Sequence, residues 1–192
     1  MTDAHPPLVW LDMEMTGLNP DTDQILEIAT LITDSELEVI AEGPELVIHQ
    51  PDAALDAMGE WCQEHHGRSG LTEACRRSTL TLAEAERLTF EFIAAHCEAG
   101  RSPLCGNSVG QDRRFLARHM PSIHAHLNYR IIDVTTVKEL AKRWFPQLPR
   151  MAKAESHRAL GDIRESIAEL RHYRRTVFVD PGAPIPGLAG LD

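Results

Sequence analysis

The stretch Leu8-Val-Trp-Leu-Asp-Met-Glu-Met-Thr-Gly17 joins a short apolar run to two closely spaced acidic residues. Its first four residues form a short continuous apolar run, which is typical of a buried β-strand. Asp12 and Glu14 follow directly, two residues apart. Because side chains alternate along a strand, this spacing places both carboxylates on the same face. Two acids on one face of an apolar strand are costly to bury without a cation, so we interpret them as metal ligands rather than as a polar strand end.

Two further strand patterns follow along the chain. Residues 25–33 and 37–48 are rich in apolar and β-branched residues, and the polar turn Thr33-Asp-Ser-Glu36 joins them. These segments predict a three-stranded meander that begins with the strand carrying Asp12.

The second half of the chain alternates helix and strand patterns. Thr81-Leu-Ala-Glu84 matches a capping box that opens a helix, and Ser108-Val-Gly-Gln111 matches a second one, which would place Asp112 in a first helical turn. Short strands are predicted over 103–105 and 129–132, with Asp133 able to cap the next helix. The last predicted helix has Asp162 near its start.

This element order predicts an α/β fold with a mixed β-sheet flanked by α-helices. We expect a single domain over residues 1–179, followed by a disordered tail over 180–192 that is rich in proline and glycine. With 43% hydrophobic and 25% charged residues, the composition is that of a soluble globular protein. No apolar run approaches the ~20 residues of a membrane span, and Met1 to Pro7 lacks the pattern of a signal peptide, so we expect a cytoplasmic location without membrane contact.

Charge and cysteine content narrow the function classes. The formal net charge is −10 at pH 7, whereas domains that track long nucleic acids are usually basic. A short anionic substrate, bound locally by metal ions and a few arginines, fits this charge better than a long polymer. The cysteines lack the spacing of a metal finger, so we expect buried free thiols rather than disulfides or a zinc site. They are Cys62, Cys75, Cys97 and Cys105.

Acidic residues recur in three separate clusters, each at a predicted strand end or helix start. Besides Asp12 and Glu14, these are Gly106-Asn-Ser-Val-Gly-Gln-Asp112 and His157-Arg-Ala-Leu-Gly-Asp162. Such positions can converge at one edge of a sheet. Four carboxylates would then offer the oxygen ligands that hard divalent cations prefer, and the histidine would be free to act as a base. Taken singly, Asp112 and Asp162 could equally complement helix dipoles, and His157 is one of ten histidines.

Taken in order, the pattern Asp-x-Glu, Asp and His-x4-Asp resembles the DEDDh group of 3′–5′ exonucleases, and within it the oligoribonuclease family. The strings that carry the resemblance include Val9-Trp-Leu-Asp-Met-Glu-Met-Thr-Gly-Leu18, Gly106-Asn-Ser-Val-Gly-Gln-Asp-Arg-Arg-Phe-Leu116 and Tyr129-Arg-Ile-Ile-Asp-Val134. The resemblance implies a ribonuclease H-like fold. It also implies a homodimeric exoribonuclease that acts on short RNA and favours 5′-phosphorylated dinucleotides.

The resemblance also implies roles for matching residues. Two Mg²⁺ or Mn²⁺ ions would be held by Asp12, Glu14, Asp112 and Asp162, with His157 as the general base. The bases would contact Leu18 and Trp61. The 5′-phosphate would be held by Ser108, Arg130 and Thr135. The pocket would be closed by His66 and by Tyr129, the tyrosine coming from the partner subunit. Thr135 departs from the family pattern, which more often has serine there.

Other interpretations stay open at this point. Without the resemblance, Trp61 is better interpreted as a core residue of an amphipathic segment. A related exonuclease that acts on DNA 3′ ends has the same acidic pattern. A catalytically silent nucleic-acid-binding module on the same fold would be favoured if one of the four acids were replaced, and all four are present. A phosphatase for small phosphate esters would have no use for base-stacking positions.

Overall fold

The computed structural model of the protein describes residues 5–149 and 158–178. A five-stranded sheet lies at its centre, in the order β3-β2-β1-β4-β5. The strands are β1 (Leu8–Met15), β2 (Ile25–Thr33), β3 (Val39–Val47), β4 (Leu104–Gly106) and β5 (Ile131–Asp133). The first three form an antiparallel meander, while β4 pairs parallel with β1 and β5 pairs parallel with β4. The predicted mixed sheet is therefore confirmed.

Eight helices are found among the described residues. They are α1 (Asp52–Asp56), α2 (Glu60–Arg68), α3 (Leu71–Arg77), α4 (Leu82–His96), α5 (Gly110–His119), α6 (Pro121–His126), α7 (Val134–Trp144) and α8 (Ala159–Thr176). The predicted capping box at Thr81 and Glu84 is present at the start of α4. The short helices α1 to α3 and α6 were not predicted, because segments of this length carry too few turns for a clear periodic pattern.

The central strands are buried by helices on both faces of the sheet. All nine residues of β2 are buried. Val9 and Leu11 of β1 pack with Phe115 of α5 in one cluster, whereas Trp10 packs with Ile163 of α8 in a second cluster on the other face. Asp12 and Glu14 share the parity of Trp10 along β1, so they lie on the face that α8 covers.

Two sequence predictions need correction. The strand predicted over 129–132 begins only at Ile131, because the Asn128 side-chain oxygen accepts a hydrogen bond from the Arg130 N–H (3.0 Å) and turns the chain before the strand. Ser108 does not cap α5, since the N-cap is Val109 and no side chain caps it. Ser108 instead lies in the left-handed region with φ +52°.

The cysteines and the described helices agree with two further predictions. All four cysteines are free, and three of them are buried, as expected. Among the described helices, none has the length and apolar character to cross a bilayer. The predicted tail over 180–192 lies outside the described residues, and the boundary of the single domain stays a prediction.

Candidate active site

The site lies at the edge of the sheet where β1, β4 and β5 end. These three strands are parallel, so their carboxyl ends meet at the same edge. Asp12 and Glu14 lie in the second half of β1, Asp112 lies in the first turn of α5 after β4, and Thr135 lies in the first turn of α7, two residues after β5. Asp162 comes from the first turn of α8, which packs across β1 and β2.

The structure brings the four predicted metal ligands together. One carboxylate oxygen from each of Asp12, Glu14 and Asp162 can be chosen so that all three lie within 4.8 Å of one another. Asp112 is buried beside them, and its Oδ1 accepts a hydrogen bond from the N–H of Met13 (3.1 Å), the residue between Asp12 and Glu14. Residues that are up to 150 positions apart in the chain thus form one acidic cluster.

Electrostatics in this cluster oppose full ionisation. Burial, and then the charges of Asp112 and Glu14, raise the pKa of Asp12 well above its usual value. Burial, followed by the charge of Asp162, raises the pKa of Glu14 to about 8. Burial raises the pKa of Asp112 to about 7. A divalent cation would supply the positive charge that these carboxylates lack, so the oxygen-only donor set fits Mg²⁺ or Mn²⁺.

A buried glutamate that the sequence analysis did not single out anchors the start of α8. Glu27 of β2 is fully buried, opposite Glu14 in the register of the two strands. Its carboxylate accepts hydrogen bonds from Arg158 Nε (2.9 Å) and Nη2 (2.5 Å) and from the Ala159 N–H (3.1 Å). The sequence contains one sign of this role, because Glu27 is the one acidic residue among the nine residues of β2, a strand that is otherwise apolar or threonine.

His157 lies outside the described residues, so its role as a base stays a prediction. Its neighbour Arg158 begins the second described segment, and the Asp162 N–H donates to the Arg158 carbonyl oxygen (3.0 Å). The hydrogen bonds of Glu27 with Arg158 and Ala159 therefore fix the position of the residues directly after His157.

The two residues predicted to contact bases are both exposed near the site. Leu18 is 72% exposed in the loop after β1, and Trp61 is 69% exposed on α2. The interpretation of Trp61 as a core residue is therefore wrong. Its ring stacks on His65, with centroids 4.4 Å apart. The Leu18 loop is attached to α5, because Gln111 donates to the Leu18 carbonyl oxygen and His119 Nε2 lies 2.8 Å from the Pro20 carbonyl oxygen.

His66 lies behind the acidic cluster rather than at its surface. Its side chain is buried, with Nε2 at 2.9 Å from the Met15 carbonyl oxygen and Nδ1 at 3.8 Å from Glu14 Oε2. Burial lowers the pKa of His66. The pocket-closing role that the resemblance implies for this residue stays a prediction.

The residues predicted to hold a 5′-phosphate lie around the ends of β4 and β5. Ser108 and Thr135 are in contact, with their hydroxyl oxygens 3.1 Å apart. Arg130 and Tyr129 are exposed just before β5, and the Arg130 guanidinium carbon lies 4.5 Å from the centroid of the tyrosine ring. Behind Thr135 lies a polar network that the sequence analysis missed, formed by Asn107, Lys138, Ser166 and Glu169.

Comparison with known proteins agrees with this geometry. The sequence model of the RNase_T exonuclease family matches residues 9–170. Oligoribonuclease from Marinobacter nauticus is 56% identical over 172 residues, which cover 89% of this chain and 96% of that protein. Oligoribonuclease from Alcanivorax borkumensis is 55% identical over 181 residues, covering 94% and 99% of the two chains. The human mitochondrial oligoribonuclease is 55% identical over 173 residues, covering 89% of this chain and 73% of the human one.

Solved structures share the fold at much lower identity. Exonuclease I from Methylocaldum szegediense has a TM-score of 0.66 at 20% identity, covering 90% of this chain. Escherichia coli exonuclease I in complex with a dT13 oligonucleotide has a TM-score of 0.69 at 15% identity, covering 88% of this chain. This chain spans 41% of the length of each of those two proteins. The fold is therefore that of the exonucleases, and the chain belongs to the oligoribonuclease family of the DEDD exonuclease superfamily.

Proposed function

We propose that this protein is a 3′–5′ exoribonuclease that hydrolyses short oligoribonucleotides, and 5′-phosphorylated dinucleotides above all, to nucleoside 5′-monophosphates. The observation that carries the proposal is the acidic cluster, in which carboxylate oxygens of Asp12, Glu14 and Asp162 lie within 4.8 Å of one another beside Asp112. Membership of the oligoribonuclease family supports the same conclusion.

The four carboxylates would hold two Mg²⁺ or Mn²⁺ ions. When bound, such a pair of cations supplies a more acidic attacking water and stabilises the charge on the leaving oxygen. Asp12 and Glu14 are fixed by the ladder of β1, and Asp112 is fixed by its hydrogen bond from Met13. This rigidity keeps the donor oxygens in place before substrate arrives, so little reorganisation is needed during the reaction.

His157 would take the proton from the attacking water. A histidine with an ordinary pKa of ~6.5 is suited to accept a proton near neutral pH. Support for the role comes from its position directly before Arg158, which Glu27 holds at the start of the helix that carries Asp162.

The exposed side chains near the cluster favour a very short substrate. Leu18 and Trp61 offer apolar surface to two bases, and stacking contributes ~1–3 kcal/mol per base. Ser108 and Thr135, with the cation Arg130 nearby, would bind a terminal 5′-phosphate. A longer strand would have to continue through that position, so these residues select against length.

We further propose a homodimer in which Tyr129 reaches the active site of the partner subunit. Tyr129 is 73% exposed just before β5, and large apolar side chains of β5 and α7 are also exposed, namely Ile131, Leu140 and Trp144. Surface of this kind is typical of a protein–protein contact. The cytoplasmic location stays a prediction, because the mouse and human relatives are mitochondrial oligoribonucleases by name.

The proposal is tested by a length series of 5′-phosphorylated RNAs, from two to about ten nucleotides, with a matching DNA series, incubated with Mg²⁺ or Mn²⁺. We expect rapid conversion of the RNA dinucleotide to monophosphates, with rates that fall steeply as length increases. Rates that are flat or rise with length would contradict the short-substrate pocket. Faster cleavage of the DNA series would favour a DNA exonuclease, and absence of cleavage at every length would favour a binding module.

The role of Tyr129 is tested with mixed dimers. The variant Tyr129→Ala is expected to be impaired, and mixing it with the inactive variant Asp12→Ala is expected to restore activity. Restoration follows because the mixed dimer pairs an intact acidic cluster with a tyrosine supplied by the other subunit. No restoration, in a mixture shown by mass spectrometry to contain mixed dimers, would mean that Tyr129 acts within its own subunit or only in packing.

A further inference from the structure

We propose that Gln111 is a positioning residue that holds the Leu18 side chain at a fixed place relative to the acidic cluster, so that a base in contact with Leu18 brings the scissile phosphate to the carboxylates. The inference rests on the proposed function, because Leu18 acts only if it contacts a base. The sequence pattern predicted a capping role for Gln111, but no side chain caps α5, and the Gln111 amide contacts the loop of Leu18 instead.

The Leu18 loop, residues 16–24, holds its own shape. The Asp23 carboxylate accepts hydrogen bonds from the Asn19 N–H (2.8 Å) and from the Thr16 hydroxyl (3.3 Å). Gly17 lies so close to this carboxylate that a Cβ at residue 17 would be 2.5 Å from it. These contacts fix the backbone within the loop, and the Leu18 side chain is 72% exposed on it. They do not fix where the loop lies relative to the acidic cluster.

Gln111 attaches this loop to α5 at Leu18 itself. Its side-chain Nε2 donates to the Leu18 carbonyl oxygen. Arg114 fixes the orientation of the amide, because its Nη1 donates to Gln111 Oε1 (2.8 Å). A guanidinium group only donates hydrogen bonds, so the amide oxygen must face Arg114 and the NH₂ group must face the Leu18 carbonyl. The two contacts of Gln111 therefore agree on one orientation, in which the donor is directed at the loop.

The same helical turn also places a proposed metal ligand. Asp112 follows Gln111, and its Oδ1 accepts a hydrogen bond from the Met13 N–H (3.1 Å), between the two acids of β1. Adjacent residues of α5 thus hold the two ends of the segment 13–18, so Leu18 and the acidic cluster keep one fixed spacing. This spacing matters for a substrate of two bases, because a reacting group misplaced by about 1 Å can lower the rate about a hundredfold.

Two other contacts join the loop to α5 farther along the helix. His119 Nε2 lies 2.8 Å from the Pro20 carbonyl oxygen, and Arg118 Nε lies 3.3 Å from Asp21 Oδ1. The Arg118 and Asp21 side chains are 61% and 78% exposed, so their ion pair contributes little. Among the hydrogen bonds of the described residues, the one from Gln111 is the contact that holds Leu18 to α5. Loss of this donor would leave the loop attached at its far side, with Leu18 free to shift.

Cleavage of two matched substrates, with Mn²⁺ present, tests the proposal. One substrate is 5′-phosphorylated diadenylate. The other carries a stable abasic residue in place of its first nucleoside, so it keeps both phosphates but lacks the base on the 5′ side. The readout is the ratio of kcat/KM for the first substrate to kcat/KM for the second. Leu18→Ala sets the scale, and we expect it to lower this ratio at least about fivefold, because it removes packing on a base.

Gln111→Met keeps the length of the side chain without the donor. We expect it to lower the same ratio about three- to tenfold, which is the effect of losing one hydrogen bond. In the Leu18→Ala background, Gln111→Met should change the ratio by less than about twofold, because its effect passes through Leu18. Asp21→Asn is the matched control and should leave the ratio unchanged, since Asp21 joins the loop to α5 only through its exposed pair with Arg118.

The possible outcomes separate this inference from the proposed function. An unchanged ratio in Gln111→Met, with a lowered ratio in Leu18→Ala, would overturn the positioning role while the exonuclease stands. A merely structural role of Gln111 would give this result, because it would lower cleavage of both substrates alike. Losses that multiply in the double variant would show that Gln111 acts independently of Leu18, and would also overturn the inference. If Leu18→Ala leaves the ratio unchanged, the base contact of the proposed function fails, and this inference fails with it.

Discussion

Replacing Glu27 by glutamine tests how the fold holds the start of α8, where Asp162 lies. The side chains have nearly the same shape, so the change removes a charge from a fully buried position with little change of packing. The glutamate receives two donors from Arg158 and one from the Ala159 N–H. Glutamine can accept with one oxygen only, and its NH₂ group must then face a donor.

The expected loss of stability follows from burial and from what Arg158 can still reach. Removing one partner of a buried ion pair costs about 3–5 kcal/mol. The Arg158 side chain is 37% exposed and has Glu45 Oε1 at 3.6 Å, so it can be partly hydrated and partly re-paired. We therefore expect a loss at or below the lower end of that range, about 2–3 kcal/mol in the free energy of unfolding. For a domain of this size the loss corresponds to a fall of about 4–12 °C in Tm.

The assay is urea denaturation in excess Mg²⁺, so that the charge of the acidic cluster is compensated. Glu42→Gln is the matched control, because Glu42 also pairs with an arginine of α8, Arg164, but its side chain is 45% exposed. Loss of that exposed pair should cost less than about 1 kcal/mol. Equal losses of unfolding free energy for the two variants would refute the reasoning. They would show that the contribution of Glu27 to stability does not depend on its burial.

Three further predictions concern the acidic cluster and the sheet. Asp162→Asn should reduce dinucleotide cleavage by more than about a hundredfold, because the proposed metal ligand loses its charge. Circular dichroism should show that the fold is intact. A variant that keeps a tenth of normal activity would contradict the proposed set of ligands. Burial raises the pKa of Glu14 from an ordinary 4.5 to about 8, so the metal-free fold favours the protonated carboxyl group. This contribution to stability is fully present below about pH 4.5 and is lost as the pH rises towards 8. Mg²⁺ should therefore raise Tm more near pH 8 than near pH 5.5, and an equal or smaller rise near pH 8 would contradict the compensation of charge by the ion. Gly43→Ala should lower the free energy of unfolding by about 1–3 kcal/mol in urea denaturation. The cause is that a Cβ at this position would lie 2.6 Å from the Phe92 ring and 2.9 Å from the Thr30 carbonyl oxygen. An unchanged urea midpoint would mean that β3 can move away from α4 at no cost in free energy.

Local sequence patterns were sufficient to predict several elements of the fold. The nine residues of β2, of which eight are apolar or threonine, and the capping box at Thr81 and Glu84 mark a strand and a helix start that the structure contains at those positions. The spacing of Asp12 and Glu14 was enough to place their carboxylates together, because strand side chains alternate with a period of two. In each case the deciding interactions lie within a few residues along the chain.

Patterns that depend on distant partners gave wrong or incomplete predictions. Ser108 has the sequence of a helix cap, yet the acceptors on Asp133 and Thr135 draw its N–H into a left-handed conformation instead. Trp61 has the pattern of a core residue, but it is exposed, and its ring stacks on His65 of the same helix.

Local sequence patterns were sufficient for the strands and the longer helices, because propensity, capping and periodicity act between neighbouring residues, and they marked the acidic residues as candidate metal ligands. The packing of distant elements was needed to bring Asp162 to Asp12 and Glu14 and to attach the start of α8 to Glu27. Those contacts join residues between 131 and 150 positions apart. They arise when β4 and β5 add in parallel to β1 and when α8 packs across the sheet, since only that packing brings the partners within hydrogen-bonding distance.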